Sequence, residues 1–331
     1  MDVIKQFKDK VRGRGLKVVL PEGSDPRIVE AGRKLKDDRL AEPVLLGKKD
    51  RIAAAADEAG VKLDGIETID PRQSDKVESY SEQYREGRDD VSEGVSRRMV
   101  SKNLFYGGMM VASGDAAAMV AGVANATATL IQAGVLTVGL SQGIKTASSY
   151  FLMVVPQFDG SKDRCFIYAD CAVNIDPNAE QLADIALASA QSAAELLQDE
   201  PRVAMLSYST RGSASGESVE KVNAALSLAR QREPKLAIDG EFQADTAIIE
   251  RVAAKKVKGH SDVAGRANVL IFPDLDAGNI AYKLTQYMAG AQAIGPFLQG
   301  FARPVTDLSR GATVADIIAT AAITLAQVQI V

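Results

Sequence analysis

The chain has 331 residues, is 46% hydrophobic and 25% charged, and carries a formal net charge of −4. That length exceeds the roughly 250–300 residues at which single cores stop growing, so two domains are expected. Acids and bases are mixed along the chain with no basic stripe, which excludes a nucleic-acid binder but not a small anionic ligand. The opening Met1–Lys8 is amphipathic and lacks the apolar run of a secretory signal. No apolar stretch reaches about 18 clean positions, so no membrane span is expected. The two cysteines, Cys165 and Cys171, make neither a metal site nor a disulfide framework, and a reducing, cytoplasmic setting is the default. His260 is the sole histidine and sits in a Lys- and Gly-rich loop, where it reads as a surface residue.

Strand and helix patterns alternate. Leu16–Leu20 is a short apolar run, and Ser24 or Asp25 then caps a helix whose first position is Pro26. Pro43–Gly47 is a buried-strand pattern, followed by an Ala-rich helix to Gly60. Glu67–Asp70 is a third strand. Lys76–Tyr84, Val91–Lys102 and Leu104–Ser113 are helical patterns, Met119–Ala121 a buried strand and Thr127–Val135 a helix. Phe151–Val155 and Cys165–Ala169 read as strands, Asn178–Leu197 as a long Ala-rich helix, and Val203–Ser207 as a strand. A helix over Glu217–Gln231, a strand over Ala237–Asp239, a helix from Ala244 and a strand over Val269–Phe272 follow. Continuous apolar strands of this kind suit a parallel sheet covered on both faces, and the alternation means α/β layers. A domain joint is expected near Lys145–Ser149.

Three strand-to-helix turns share a character. Ser207–Gly216 is rich in Ser, Thr and Gly and carries Arg211. Asp274–Lys283 has Gly278, Asn279 and Lys283 around a helix start. Thr306–Asp316 carries Ser309, Arg310 and Gly311 ahead of a helix capped by Thr313. In open α/β sheets ligands sit outside the carboxyl ends of strands. Glycine admits a phosphate close to the backbone, hydroxyls and N–H groups donate, and Arg forks two oxygens. The plain alternative is that these are good turns, with Thr313-x-x-Asp316 an acidic capping box. The usual ATP and NAD signatures are missing. Gly139–Lys145 approaches a P-loop but has the wrong glycine spacing.

Several blocks carry a resemblance. They are Leu20-Pro-Glu-Gly23, Asp170-Cys-Ala-Val-Asn174, Ala179-Glu-Gln-Leu-Ala183 and Met205-Leu-Ser-Tyr-Ser-Thr-Arg-Gly-Ser-Ala214. Ile271–Lys283, Gly295–Gly300 and Asp307-Leu-Ser-Arg-Gly311 complete the set. Together they closely resemble the phosphate acetyl/butyryltransferase family, nearly end to end and most densely from Cys165 onward. The resemblance implies an α/β fold of two domains with mainly parallel sheets and an interdomain cleft, similar to the isocitrate and isopropylmalate dehydrogenases. It implies one domain of residues 1–146 with 297–331 and a second of 147–296. It implies exchange of acetyl-CoA and phosphate with CoA and acetyl phosphate, no metal, no tightly bound cofactor, and a homodimer. By the same resemblance Asp316 takes the CoA thiol proton, Arg310 holds phosphoryl oxygens and Ser309 donates to substrate. Substrate binding falls to Ser207, Ser209, Thr210, Arg211, Gly212, Ser213, Asn279, Lys283, Arg85 and Thr127. Cys171 lies beside the site without being its nucleophile.

One departure stands out. Family members commonly carry an Arg in the helix after the Ser/Asn-Thr turn, and Ile131 takes that position here. Two rival readings follow. One is a butyryl rather than an acetyl donor, against which the Asp307–Gly311 form argues. The other is a non-catalytic paralogue that binds CoA or acyl phosphate. A dehydrogenase of the related fold lacks the carboxylate cluster and nucleotide fingerprint it would need.

Overall fold

The computed structural model describes residues 3–197 and 199–328, so the outer ends of the expected first domain, 1–2 and 329–331, lie outside the described residues. The chain divides into two compact units, residues 2–142 with 301–331, and residues 143–300. The joints therefore lie at Gln142/Gly143 and Gly300/Phe301, against 146/147 and 296/297 in the sequence reading.

The first unit opens with helix α1 (Val3–Val11) and strand β1 (Lys17–Leu20), then α2 (Pro26–Asp37), β2 (Glu42–Leu46), α3 (Lys49–Ala59) and β3 (Glu67–Ile69). Helices α4 (Val77–Arg85), α5 (Glu93–Val100) and α6 (Asn103–Ala112) precede β4 (Ala118–Ala121) and α7 (Thr127–Thr137). After the second unit, β11 (Val305–Asp307) and α13 (Val314–Ala326) return to complete the first. The sheet order is β11-β4-β1-β2-β3 and every pairing is parallel. Consecutive residues of β1 and β4 are buried, because α13 and α6 cover β4 from separate helix layers. Asp25 caps α2 by accepting from the Arg27 amide, with Pro26 at the first helical position. Gly60 ends α3 in the left-handed conformation that glycine adopts without strain. The polar opening of the chain is an amphipathic helix, α1, which buries Val3, Phe7 and Val11.

The second unit contains β5 (Ser148–Phe158), β6 (Ser161–Ala169), α8 (Ala179–Leu196), β7 (Arg202–Leu206), α9 (Glu217–Arg232) and β8 (Ala237–Phe242). Next come α10 (Ala244–Ile248), α11 (Glu250–Lys256), β9 (Val269–Ile271), α12 (Leu275–Met288) and β10 (Gln292–Gln299). The sheet order is β10-β5-β6-β9-β7-β8. Its β6-β9-β7-β8 half is parallel, while β10, β5 and β6 run antiparallel. The antiparallel edge was not expected from sequence. It is built by a tight hairpin in which Asp159 (φ 44°) and Gly160 (φ 79°) both take positive φ, the requirement of a type I′ turn. Strand β10, also unforeseen, pairs with β5. The helix expected from Ala244 is two short helices, broken where Ile249 is extended. Gly139–Lys145 leads into strand β5 and not into a helix, so it has no P-loop geometry.

Candidate active site

In the first unit the chain runs outward from β1 to β2 and β3, then returns to the other side of β1 for β4 and β11. The reversal between β1 and β4 is the point where an open α/β sheet offers a crevice for ligand. The loops there are Pro21–Asp25 after β1, Gly122–Ala126 after β4 and Leu308–Thr313 after β11. A cavity of about 500 Å³ opens among the first two, lined by Glu22, Asp25, Asn103, Asn125, Thr129 and Gln132, among others.

Two acids and an arginine shape these loops. Glu22 is buried, and its carboxylate accepts from the amides of Gly122 (2.8 Å), Val123 (2.9 Å) and Ala124 (2.9 Å) and from Asn125 Nδ2 (2.7 Å). It thereby ties the β4 loop to the β1 loop. Arg27 forks onto Asp25 through Nε (3.0 Å) and Nη2 (2.8 Å), which holds the Asp25 carboxyl below its ordinary range. Its Nη1 donates to the carbonyls of Arg310 (2.8 Å) and Ala312 (3.1 Å), so the β1 exit also grips the β11 loop. Asp307, buried at the end of β11, accepts from Thr127 Oγ1 at the first position of α7.

On the gripped loop Ser309 and Arg310 are both exposed. The Arg310 guanidinium makes no hydrogen bond or ion pair among the described residues. Ser309 Oγ accepts from the Gly311 amide (3.2 Å) and keeps its own proton for another acceptor. Asp316 is one half of a complete capping box. Its Oδ2 accepts from the Thr313 amide (2.9 Å) and Oγ1 (2.7 Å), and its own amide donates to Thr313 Oγ1 (3.2 Å). Oδ1 is left without a hydrogen bond among the described residues. The structure therefore brings Ser309, Arg310 and Asp316 together on one exposed turn. It also shows that the cap and a free carboxylate oxygen coexist.

Arg85, at the end of α4, does not line the cavity, and Arg88 is turned onto the carbonyls of Tyr84 and Leu136. Ile131 does not line it either. Helix α7 turns Thr129 and Gln132 toward the space.

The second unit gathers its candidates in the same way, after the carboxyl ends of the adjacent strands β6, β9 and β7. Asn279 Nδ2 donates to the Cys171 carbonyl (3.1 Å), joining the loop after β6 to α12. Gly278 is required there, since a Cβ would stand 2.3 Å from the Asp170 carbonyl oxygen. The Ser207–Gly216 loop is largely self-satisfied. Buried Ser209 donates to Glu241 (2.7 Å), Thr210 Oγ1 accepts from the Gln243 amide (2.9 Å), and Ser213 Oγ accepts from the Thr210 amide (2.9 Å). Gly212 donates its amide to Glu241 (2.8 Å), and Ser207 Oγ accepts from the Ser209 amide (3.2 Å). Arg211 is paired with Asp239 at 2.6 Å, and Lys283 rests against the Tyr282 hydroxyl (2.7 Å). Arg211, Gly212, Ser213 and Lys283 reach the surface, while Ser209 and Thr210 do not.

Cys171 is fully buried, and burial pushes its thiol well above the ordinary cysteine value, with the Asp170 charge adding to the effect. His260 is exposed and lies 2.9 Å from Asp262. Among the described residues no group of three or more His, Cys, Asp or Glu is placed to hold a metal ion, and no helix is long and apolar enough to cross a membrane.

The family model for phosphate acetyl/butaryl transferase matches residues 2–325. The chain belongs to the phosphate acetyl/butaryl transferase family. Among its relatives, a phosphate acetyltransferase of Thermoanaerobacterium thermosaccharolyticum is 45% identical over 99% of this chain and 100% of its own length. One from Acetivibrio thermocellus is 44% identical over 100% of this chain and 99% of its own. The EutD phosphotransacetylase from Staphylococcus aureus superposes with a TM-score of 0.89 at 37% identity, covering 99% of this chain and 98% of its own. A phosphotransacetylase from Streptococcus pyogenes gives 0.90 at 36% identity, with 98% of both chains covered. Family membership accounts for the α/β architecture of two units with mainly parallel pairing, expected from the sequence blocks. The bonds of Glu22, Arg27 and Asp307 are what sequence reasoning missed. Glu22 and Asp307 have their partners far along the chain, as does the Arg27 contact with the β11 loop, and no local pattern marks them.

Proposed function

We propose that the protein is a phosphate acetyltransferase, moving an acetyl group between the sulfur of CoA and inorganic phosphate. The observation that carries this reading is the turn after β11. Among the described residues it displays a guanidinium without a partner (Arg310), a hydroxyl with a proton to give (Ser309) and a carboxylate whose position is fixed through one oxygen while the other stays open (Asp316).

In the acetyl-CoA-forming direction, Asp316 Oδ1 takes the thiol proton as the sulfur attacks the acetyl carbonyl of acetyl phosphate. The C–O bond to phosphate then breaks, and phosphate leaves with the electron pair toward Arg310. An ordinary aspartate lies about 4.6 pH units below a thiol, so complete prior transfer costs roughly 6 kcal/mol. Proton transfer therefore accompanies C–S bond formation and does not precede it. Arg310 acts on phosphate and on the developing charge. Ser309 donates to the acetyl phosphate, and Thr127 contacts it. Ser207, Gly212 and Ser213, with Asn279 and Lys283, serve the CoA side, while Ser209, Thr210 and Arg211 hold that loop in shape. CoA is a substrate and not a resident cofactor, and the reaction as written needs no metal.

The protein acts in the cytoplasm on this reading, in keeping with its two free thiols. It works as a homodimer. Helix α12 leaves Ile280, Leu284, Tyr287 and Met288 exposed at helical spacing, Tyr287 and Met288 at 81%. An apolar face of this kind is a docking surface.

The test is thioester formation from acetyl phosphate and CoA by the purified protein, with butyryl phosphate as the competing acyl donor. Asp316→Asn keeps the acceptor that caps α13 but removes the base, so kcat is expected to fall by about a hundredfold or more. Full activity in that variant would remove Asp316 from the mechanism. No activity in the wild-type chain would refute the transferase reading.

A further inference from the structure

We propose that Asp307 is a positioning residue for this reaction: its buried carboxyl group decides whether the Thr127 hydroxyl can give its proton to the substrate phosphate. The inference rests on the reading of Thr127 as a phosphate contact.

Asp307 ends β11 and is only 4% exposed, whereas Thr127 begins α7 and stays partly open. Thr127 Oγ1 donates to Asp307 Oδ2. The other oxygen, Oδ1, is buried and has no hydrogen-bond partner among the described residues. The pocket around it is tight. A Cβ at Gly122 would stand 2.3 Å from Oδ1 and 2.5 Å from the Leu308 amide nitrogen, and Gly122 has φ of 126°. No side chain can take its place.

A carboxylate buried for structure alone is normally surrounded by donors, as Glu22 is with four. Asp307 has only the Thr127 hydroxyl and the Leu308 amide beside it, and burial outweighs both, so ionising it is costly. Burial pushes its carboxyl up to about 6, with the Glu22 charge adding to the effect. Glu22, on the loop after β1, is the charged group that bears on it. The exit of β4 and the first turn of α7 contribute Gly122 and Thr127, and α13 turns apolar and threonine side chains inward.

A hydroxyl has one proton to give. With Asp307 ionised, that proton is committed to Oδ2, and Thr127 presents lone pairs to an incoming anion. With Asp307 protonated, its own O–H donates to Thr127 Oγ1, and the threonine proton turns to a phosphate oxygen. Anion binding at Thr127 and protonation of Asp307 are thus linked.

The probe is sulfate, whose charge is constant in the relevant range, measured as an inhibitor competing with phosphate. From about pH 5 to about pH 8 its inhibition constant is expected to rise about tenfold in the wild-type protein, the order of one hydrogen bond to a charged group. In Asp307→Asn the amide donates to Thr127 at every pH, so the constant should stay at its low-pH value throughout. A wild-type pH profile in Asp307→Asn overturns the proposal. Thr127→Val supplies the second arm, independent of whether the Asp307 variant folds. It should weaken sulfate binding at low pH and abolish the pH dependence. Dependence that persists in Thr127→Val also overturns the proposal. Unchanged low-pH affinity in Thr127→Val instead refutes Thr127 as an anion contact, and the inference falls with that reading.

Discussion

Glu22 and Asp307 are neighbouring buried acids with opposite surroundings, and the contrast has a stability consequence. Asp307 has an ordinary value near 3.8 when unfolded and about 6 when folded. Folding is therefore unaffected by this group below about pH 4, grows less favourable as pH rises, and levels off above 6, a difference of about 3 kcal/mol. Asp307→Asn should stabilise the protein at pH 8 relative to wild type and lose that advantage by pH 4, read from urea unfolding at both values. Cys171 gives a second residue-level expectation. Its thiol is buried and held protonated, so Cys171→Ala should keep turnover within a few-fold of wild type in the thioester assay. That Ser309, Arg310 and Asp316 share one turn was legible in the sequence, because they sit within eight residues of one another. Glu22 and Asp307 were not, because the donors that define them lie 100 and 180 residues away. On α7 the wall of the cavity takes its side chains from positions 129 and 132, with Ile131 between them.

At the scale of elements, the start of α13 combines capping with chemistry. Thr313 accepts from the Asp316 amide and donates to its carboxylate. Thr313→Ala should cost about 1 kcal/mol in thermal or urea unfolding. It should also lower kcat, because Asp316 loses the bond that aims it. Boundaries of the buried parallel strands were readable as short apolar runs ended by Gly, Pro or Asp, residue type marked Thr313 and one of Ser24 and Asp25 as N-caps, and Asn178, read as the first residue of its helix, is its N-cap. The β5–β6 hairpin was missed although Asp159-Gly160 signalled it. Long strands buried along most of their length show no alternation to flank the turn. Strand β10 was missed because Gly295 and Pro296 interrupt it, and its pairing with β5 slips at that point. The Ser207–Gly216 loop read as a ring of free donors. Folding gives most of them partners within the loop or on Glu241, Asp239 and Gln243.

For the molecule as a whole, the two-unit organisation was legible from length and from alternating patterns, but the return of the chain to the first unit came only through family resemblance. The exposed face of α12 leads to a prediction at this scale. For the homodimer proposed above, Leu284→Glu is expected to give a monomer in sedimentation with the fold intact by circular dichroism, since Leu284 is half exposed and contributes little to the core. The placement of β11 and α13 has a further consequence for synthesis. A ribosome releases residues 2–142 with β4 as a bare sheet edge and with α1 and α2 lacking the helix that covers them. The whole second unit must emerge before the missing strand and helix arrive. The turn that carries Ser309, Arg310 and Asp316 comes with them. A nascent chain therefore lacks this turn until β11 and the start of α13 have been made.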